Sequence, residues 1–371
     1  MNLKAIISSI FIKKEASVIG VDIGMSAIKI VQIRKKKGRA VLETYGELSL
    51  GPYSGLEIGR SAILTPDKVI TALKDIMREA NVTSKSAGVS VPLQYSFITL
   101  IKLPVVDEKK LPEIIPLEAR KYIPIPISEV LLDWWVIPNS ENIPNSVGSN
   151  DQNLRPEGAD ALIVAIHNDA LQKLSSEVVG AGLNTSFFEI ELFSTLRSTL
   201  LPGVQTQVIL DMGSSATKLY IVDRGVLKVS HTISRGSQDI TLAISKSLNI
   251  GVAEAENIKR KYGLIKNEEY KELQEIIVLN LDYIFYEANR VILNYEKKFN
   301  TPIGKIILSG GGALLKGLLE ISNKNFQTES VLADPFQKLE TPAFLRDVLK
   351  EAGPEFTVAI GLALRRLAEN E

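Results

Sequence analysis

The sequence of 371 residues contains no cysteine, only two histidines and no net charge. The absence of cysteine excludes disulfides, thiolate catalysis and cysteine-rich zinc sites, and it fits a reducing compartment. Because His167 and His231 are far apart in the chain, we expect neither a histidine metal site nor a Ser-His-Asp triad. With 43 basic and 43 acidic residues, the overall charge indicates neither a nucleic acid nor an anionic membrane as partner.

Long hydrophobic runs are also absent, since no stretch reaches the about 18 to 20 apolar residues that a membrane-spanning helix needs. Apolar residues make up 45% of the chain, which is typical of a globular protein, and the length predicts two domains. Residues 1–16 predict a short amphipathic helix, which either packs on its own domain or lies on a membrane or partner. Its apolar positions are Leu3, Ile6, Ile7, Ile10 and Phe11.

Two short segments, 21–29 and 210–219, share one pattern. Each is an apolar strand that ends in an aspartate, Asp22 or Asp211, followed by a glycine, small and hydroxyl residues, and a second strand. The aspartate can hold a hydrated metal ion, and the glycine with its small neighbours lets backbone N–H groups approach a phosphate. One such turn alone is typical of an ordinary β-hairpin. Two copies, one in each half, predict a duplicated domain that closes on a nucleotide.

A third glycine-rich turn, 309–312, follows a predicted strand. Three consecutive glycines permit positive φ angles and leave room for a ligand, and a helix predicted from Ala313 would add a partial positive charge. The turn lacks the Gly-Lys-Ser/Thr of a Walker loop and the glycine spacing of a dinucleotide-binding fold. By itself it fits a tight packing turn as well as a ligand loop.

Two pairs of charged residues have both a functional and a structural interpretation. Glu256 and Lys259 lie on one helical face and could grip the hydroxyls of a ribose from both sides. The residues alone favour the simpler alternative, a solvent-exposed ion pair such as Glu256 with Arg260. Either Glu189 or Glu191 could orient a hydrolytic water, or could cap the helix that follows.

The middle of the first half is rich in proline and apolar residues. Residues 111–122 predict a helix that Pro116 kinks or restarts. The Ile-Pro-Ile-Pro stretch 123–126 cannot be helical and is predicted to be extended, as the wall or edge of a surface and not a central strand. The polar stretch 139–158 predicts a surface loop.

In this order, the two Asp-Gly hairpins, the Glu-x-x-Lys helix and the Gly-Gly-Gly loop resemble the actin-like ATPase superfamily. The resemblance implies an α/β protein with a duplicated actin-like ATPase (ribonuclease H-like) fold and an FtsA-like insertion subdomain. It implies ATP and Mg²⁺ as ligands, with Asp22 and Asp211 holding the metal largely through water and Glu191 as the candidate catalytic residue. Two hinge helices, 191–200 and 356–368, would cross closely at Gly361. The implied nucleotide-binding residues are Asp22, Gly24, Met25, Ser26, Lys29, Gly213, Ser214, Ser215, Thr217, Glu256, Lys259, Gly310, Gly311, Gly312 and Ala313.

A narrower resemblance, to the PilM family of type IV pilus assembly proteins, covers nearly the whole chain and rests on 103–104, 117–126, 132–134 and 307–315. It implies an adaptor at the cytoplasmic face of the inner membrane that binds ATP and hydrolyses it slowly or not at all. The implied partners are the cytoplasmic N-terminal peptide of PilN, other pilus assembly-platform proteins and motor ATPases. A homo-oligomer and a related type II secretion-like platform stay open. The chain departs from the family in the length of its polar loop and in Met25, which stands where a hydroxyl residue is usual.

The resemblance also predicts how the chain divides. The expected parts are the segment 1–16, a first domain (17–92 and 176–203), the insertion (93–175), a second domain (204–250 and 302–371) and a helical subdomain (251–301).

Two other functions stay open on this fold. A small-molecule kinase needs a general base near its acceptor hydroxyl, and the sequence offers no convincing one. A membrane-bound filament protein of the FtsA kind carries a C-terminal amphipathic anchor, which we do not expect here.

Overall fold

The computed structural model describes residues 17–103, 108–137, 160–203, 205–266 and 268–369. The predicted amphipathic segment 1–16 and the predicted loop 139–158 lie outside the described residues. Within the described ranges, no helix combines the length and the apolar character that crossing a membrane requires.

The described residues form strands and α-helices that alternate along much of the chain. In chain order the strands are β1 (Ser17–Ile23), β2 (Ala27–Lys36), β3 (Arg39–Ser49), β4 (Ser86–Val91), β5 (Ser96–Lys102), β6 (Val130–Ile137), β7 (Asp160–His167), β8 (Asn184–Ile190), β9 (Thr206–Met212), β10 (Thr217–Asp223), β11 (Val226–Ile233), β12 (Ile303–Ser309) and β13 (Ser330–Leu332). The α-helices are α1 (Pro66–Glu79), α2 (Leu111–Ala119), α3 (Asn168–Gly180), α4 (Glu191–Thr199), α5 (Ser237–Leu248), α6 (Val252–Tyr262), α7 (Leu273–Phe299), α8 (Leu318–Phe326), α9 (Arg346–Ala352) and α10 (Thr357–Glu369).

The two larger sheets repeat one topology. The first has the strand order β3-β2-β1-β4-β8 and the second has the order β11-β10-β9-β12-β13. In each sheet a hairpin is followed by a parallel strand beside its first member: β1 pairs with β2 antiparallel and with β4 parallel, as β9 does with β10 and β12. The duplication predicted from the two Asp-Gly segments is therefore confirmed.

Helices cover both faces of the first sheet, which explains why β1 is apolar at successive positions and not at alternate ones. Ile19 and Val21 belong to the core that includes Leu73 of α1. Val18 points the other way, into the core that includes Ile360 of α10. Gly20 lets α10 approach this face, because a Cβ atom on Gly20 would lie 1.9 Å from the carbonyl oxygen of Ala359.

The predicted hinge helices α4 and α10 cross in close contact. A Cβ atom on Gly361 of α10 would lie 2.0 Å from the carbonyl oxygen of Ser194 on α4. Since real Cβ atoms do not approach an oxygen so closely, glycine is required at this crossing. The predicted close crossing at Gly361 is confirmed.

A smaller antiparallel sheet, with the order β5-β7-β6, is not hydrogen-bonded to the two larger ones, although Leu162 and Ile166 of β7 share a core with them. Its own core joins Ile101 of β5 and Ile163 of β7 with Ile115 of α2 and with Ile123. Helix α2 continues through Pro116 as a single helix, so the predicted restart does not occur. The Ile-Pro-Ile-Pro stretch 123–126 is not helical, as predicted, but it bends at residues 124 and 125 where an extended conformation was predicted.

The packing of two segments differs from the division predicted from sequence. Helix α3 runs unbroken across the predicted boundary at residue 175, with Val178 in the core of the first sheet. The predicted second domain included 302–371, yet Phe336, Leu349 and Ile360 pack with Val31 on the first sheet. The C-terminal part of the chain thus returns to the first half, where it covers the second face of that sheet.

Candidate functional site

A cavity of about 330 Å³ lies between the two halves of the molecule. Both hairpins and the glycine loop contribute to its lining, so three segments that are far apart in sequence meet there. Among the predicted site residues, those that line the cavity are Asp22, Gly24, Met25, Ser26, Lys29, Glu191, Asp211, Gly213, Ser214, Ser215, Glu256, Lys259, Gly310, Gly311 and Gly312.

Two predicted residues do not line this cavity. Thr217 is fully buried, and its hydroxyl donates to the carbonyl of Arg235 at 2.8 Å. Ala313 is also buried, behind the glycine loop. Their assignment to nucleotide binding stays a prediction.

Both hairpins close in the same way. The N–H of Gly24 donates to the carbonyl of Ala27 at 3.0 Å, and the N–H of Gly213 donates to that of Ala216 at 3.0 Å. Each turn places its aspartate opposite a lysine on the second strand, Asp22 opposite Lys29 and Asp211 opposite Lys218. The small residues of both turns line the cavity, so a phosphate could approach their backbone closely.

Lys218 is a cavity residue that the sequence-based set omitted. A signal was present, because Lys218 occupies in the second hairpin the place that Lys29 occupies in the first. Its ammonium nitrogen lies 2.7 Å from Oε2 of Glu191 and 3.8 Å from Oδ2 of Asp211.

Both aspartates line the cavity, each next to the last residue of a buried strand. Burial and the neighbouring Glu191 together raise the pKa of Asp22 to about 6, although Lys29 partly opposes the rise. Burial likewise raises the pKa of Asp211, against the opposing effect of Lys218. The hydroxyl of Ser90 donates to Asp22 at 2.8 Å and orients its carboxyl group.

Of the two glutamates proposed as water-orienting or capping groups, Glu191 lies in the cavity and Glu189 does not. Glu189 forms ion pairs with Arg197 of α4 at 2.6 Å and with Arg365 of α10 at 2.9 Å, which tie the hinge helices together. Glu191 is the first residue of α4, and its Oε1 accepts a hydrogen bond from the N–H of Leu93 at 2.6 Å. Both carboxylate oxygens of Glu191 are engaged, since Oε2 is bound by Lys218.

The glycine loop packs directly against the second hairpin. Gly310 has φ = 81°, and a Cβ atom on it would lie 2.5 Å from Oδ1 of Asp211. The helix predicted from Ala313 is absent: Gly311–Leu314 forms a 3-10 turn, and α8 begins only at Leu318, after Gly317 with φ = 82°. The prediction that an α-helix N-terminus adds positive charge at this loop is therefore wrong. What the loop contributes is space, since three consecutive glycines line the cavity without side chains.

Glu256 and Lys259 are buried. The prediction that this helical face carries a solvent-exposed ion pair is therefore wrong about the exposure. Glu256 nevertheless bonds Arg260 at 2.7 Å, as that alternative proposed, and Lys259 at 2.7 Å. Thr241 of α5 donates to Glu256 at 2.6 Å. Although burial opposes ionisation, Lys259 and these hydrogen bonds lower the pKa of Glu256, which holds its charge at the cavity wall.

A further pair of carboxyl groups, Glu47 and Glu355, lines the cavity. Glu47 lies opposite Lys29 across β2 and β3, and the two charged groups are 3.5 Å apart. Burial and the neighbouring Glu47 raise the pKa of Glu355 to about 7. No local pattern indicated Glu355, because only the packing of the C-terminal segment on the first sheet brings it to the cavity.

The family described as Type IV pilus assembly protein PilM matches residues 20–367. The chain belongs to this family. The resemblance that the Leu-Glu-Ala-Arg-Lys-Tyr-Ile-Pro block suggested is thus confirmed.

Solved structures and curated relatives agree on the fold. A structure entitled PilM-PilN type IV pilus biogenesis complex is similar with a TM-score of 0.76 and 25% identity, over 95% of this chain and 98% of that one. MreB5 of Spiroplasma citri bound to AMPPNP has a TM-score of 0.53 and 13% identity, over 96% and 98%. The cell division protein FtsA of Streptococcus pneumoniae is 23% identical, over 89% of this chain and 78% of FtsA. The duplicated actin-like fold is confirmed.

Proposed function

We propose that this chain is an ATP-binding adaptor of the type IV pilus, or a related type II secretion-like, inner-membrane assembly platform. In this proposal it binds the N-terminal peptide of PilN and hydrolyses ATP slowly or not at all. The proposal that the chain binds a nucleotide rests on one observation: both Asp-Gly hairpins and the glycine loop line the same cavity.

The cavity offers the groups that a nucleoside triphosphate requires. Two turns of small residues let phosphates approach the backbone closely, and Lys29 and Lys218 add positive charge between them. The buried Glu256–Lys259 pair supplies an acceptor and a donor that suit ribose hydroxyls. The solved MreB5 structure with AMPPNP has the same fold, which supports nucleotide binding here.

The carboxylates also fit a hydrated divalent cation. Asp22 and Asp211 offer carboxylate oxygens as metal ligands. Burial raises the pKa of both, and the neighbouring lysines offset that rise only in part. In the part of the chain that the structure describes, no three acidic or histidine side chains converge closely enough to ligate a metal directly. Mg²⁺ would therefore be held by nucleotide phosphates and by water bound to these aspartates, and it would supply charge neutralisation.

The three-stranded sheet offers a surface for an extended peptide. β6 lies at an edge of that sheet, and its residues Leu131 and Trp135 are exposed. Leu117 and Tyr122, which are also exposed, lie on the same small unit. Edge-strand hydrogen bonds would give affinity, and buried apolar anchors would give selectivity. The similarity to the PilM-PilN complex supports PilN as the partner, and we propose its N-terminal peptide as the occupant and the inner membrane as the place where the two proteins meet.

Thermal melts with and without Mg-ATP test the nucleotide assignment. At a hundred times the dissociation constant, a ligand raises the free energy of unfolding by about 2.7 kcal/mol. We expect Mg-ATP to stabilise the wild type and to stabilise Asp211→Asn much less, because the variant loses a carboxylate beside the metal and phosphate site. Asp282→Asn, an exposed change on α7, is the matched control and is expected to respond like the wild type. An equal shift in all three proteins would reject the assignment of Asp211.

A further inference from the structure

Helix α7 has two apolar sides. One side packs in the core of the second half and consists of Leu273, Ile277, Leu281, Ile284, Phe285, Ala288, Ile292 and Tyr295. The other side lies on the surface, where Leu279 is 72% exposed, Tyr286 66% and Leu293 52%. A helix that only covers a sheet needs no second apolar side, and α1 exposes no large apolar side chain between its ends at Pro66 and Glu79.

The exposed residues of α7 have the spacing of a helix that packs against another helix. Leu279, Tyr286 and Leu293 follow one another at seven-residue intervals, close to two helical turns, so they form a straight stripe along the helix. Tyr283 and Arg290, both exposed, fill the positions between them and complete the alternation of four and three residues that is typical of paired helices. Single exposed apolar residues are common on protein surfaces, but a regular stripe indicates a partner helix.

The two ends of this stripe are complementary to each other. Leu279 and Leu293 lie equally far from Tyr286 along the helix, and so do the exposed Glu275 and Lys297. A second copy of α7 that runs antiparallel, about a two-fold axis at Tyr286, therefore places Leu279 opposite Leu293. The same axis places Glu275 opposite Lys297, twice in the dimer. In a parallel pair each of these charges would face its own copy and repel it, so the charges favour the antiparallel pair.

We propose that the exposed stripe of α7 is a self-association surface through which two copies of this chain form an antiparallel, two-fold symmetric dimer. Each copy contributes the same residues, so the dimer is closed and covers both stripes. From Glu275 to Lys297 the stripe is about 33 Å long, at 1.5 Å per residue. One pair of helices of this length lies at the low end of interface sizes, below the standard area of about 1,600 Å², so we expect a dimer with micromolar affinity.

Sedimentation equilibrium of the full chain without nucleotide measures the dimer independently of the proposed nucleotide site. We expect a dissociation constant of about 1–100 µM for the wild type, and at least about tenfold weaker association for Tyr286→Glu, which places two carboxylates at the axis. Glu275→Lys and Lys297→Glu should each weaken the dimer about three- to tenfold, and the variant with both changes should regain the wild-type affinity. Lys298→Glu makes the same change of charge on an exposed neighbour about 100° further round the helix, and this control should dimerise like the wild type.

Introduced cysteines test the antiparallel arrangement, because the chain has no cysteine of its own. At the axis, Tyr286→Cys should form a disulfide with its copy, which needs Cα atoms less than about 7 Å apart. In the antiparallel pair Leu293→Cys is about 21 Å from its copy, so it should cross-link only when mixed with Leu279→Cys. Cross-linking of Leu293→Cys alone, or a dimer that Tyr286→Glu leaves unchanged, would overturn the proposal. A wild type that stays monomeric across the stated range would also overturn it, and would leave the stripe to a helix of another protein or to residues 1–16.

Discussion

Replacing Gly361 with alanine tests the close crossing of α4 and α10. The added Cβ would lie 2.0 Å from the carbonyl oxygen of Ser194 and 2.5 Å from its carbonyl carbon, so the helices must separate by about 1 Å. Overpacking of this kind lowers the free energy of unfolding by about 1–3 kcal/mol. The better helix propensity of alanine offsets about 1 kcal/mol of that loss. Separation also loosens the bond from Arg197 to the carbonyl of Gly361 and the ion pair from Arg365 to Glu189. Because the side chains of Arg197 and Arg365 are 32% and 34% exposed and both ion pairs keep their partners, loosening them adds at most about 1 kcal/mol, and we expect a net loss of about 1–3 kcal/mol.

Urea unfolding measures this loss, and Gly251→Ala is the matched control. A Cβ atom on Gly251 would lie 3.6 Å from Oε1 of Glu57, an ordinary contact, and Gly251 does not line the cavity. We expect the control to lose less than about 1 kcal/mol, the usual scale of a change at a helix N-cap. If Gly361→Ala were as stable as the control and bound Mg-ATP as tightly as the wild type, the tight crossing would not matter for the site.

Two further predictions concern the carboxylates of the cavity. Since the pKa of Asp22 rises from 3.8 to about 6 on folding, its proton stabilises the folded state at low pH, and this stability is lost as the pH rises through 6. Nucleotide-free Asp22→Asn should therefore be more stable than the wild type at pH 8, by up to about 3 kcal/mol, and the gain should vanish near pH 4 in pH-dependent unfolding curves. Because both oxygens of Glu191 are already bound, we expect steady-state ATP turnover below about 1 s⁻¹ in a phosphate-release assay; faster turnover would favour an enzyme.

The parts of the site that could be predicted from sequence are those with a local pattern. The Asp-x-Gly turns are set by a few consecutive residues, and their repetition indicated the duplicated fold. The same repetition contained the signal for Lys218, because it matches Lys29 in position. The helix at Ala313 was predicted wrongly because the following glycine, Gly317, adopts a left-handed conformation and delays the helix to Leu318.

Residues whose role depends on distant partners could not be assigned. From sequence, Glu189 was as good a candidate as Glu191 for orienting a water or capping the helix. Its partner Arg365 is 176 positions away, and this ion pair places Glu189 between the hinge helices. Glu355 enters the cavity because the C-terminal segment packs on the first sheet, where Phe356 joins that core. No pattern within either segment indicates these long-range contacts.

The contacts of Glu191 suggest how the cavity and the small sheet would communicate. Glu191 bonds Lys218 in the cavity and the N–H of Leu93, which begins the 3-10 turn 93–95 that leads into β5 of the small sheet. Glu191 therefore connects a lysine of the nucleotide cavity with the start of the small sheet, which carries the proposed peptide-binding surface. We expect nucleotide and peptide binding to be coupled by about 1–3 kcal/mol, or roughly 5- to 150-fold in affinity.

Titration of a labelled N-terminal peptide of the cognate PilN, with and without Mg-ATP, tests the adaptor function most directly. The account predicts binding to the wild type that Mg-ATP strengthens at least about fivefold, and binding to Glu191→Gln that responds less to Mg-ATP. Equal affinity with and without nucleotide would remove the coupling but keep the adaptor function. No binding in either condition would contradict the account.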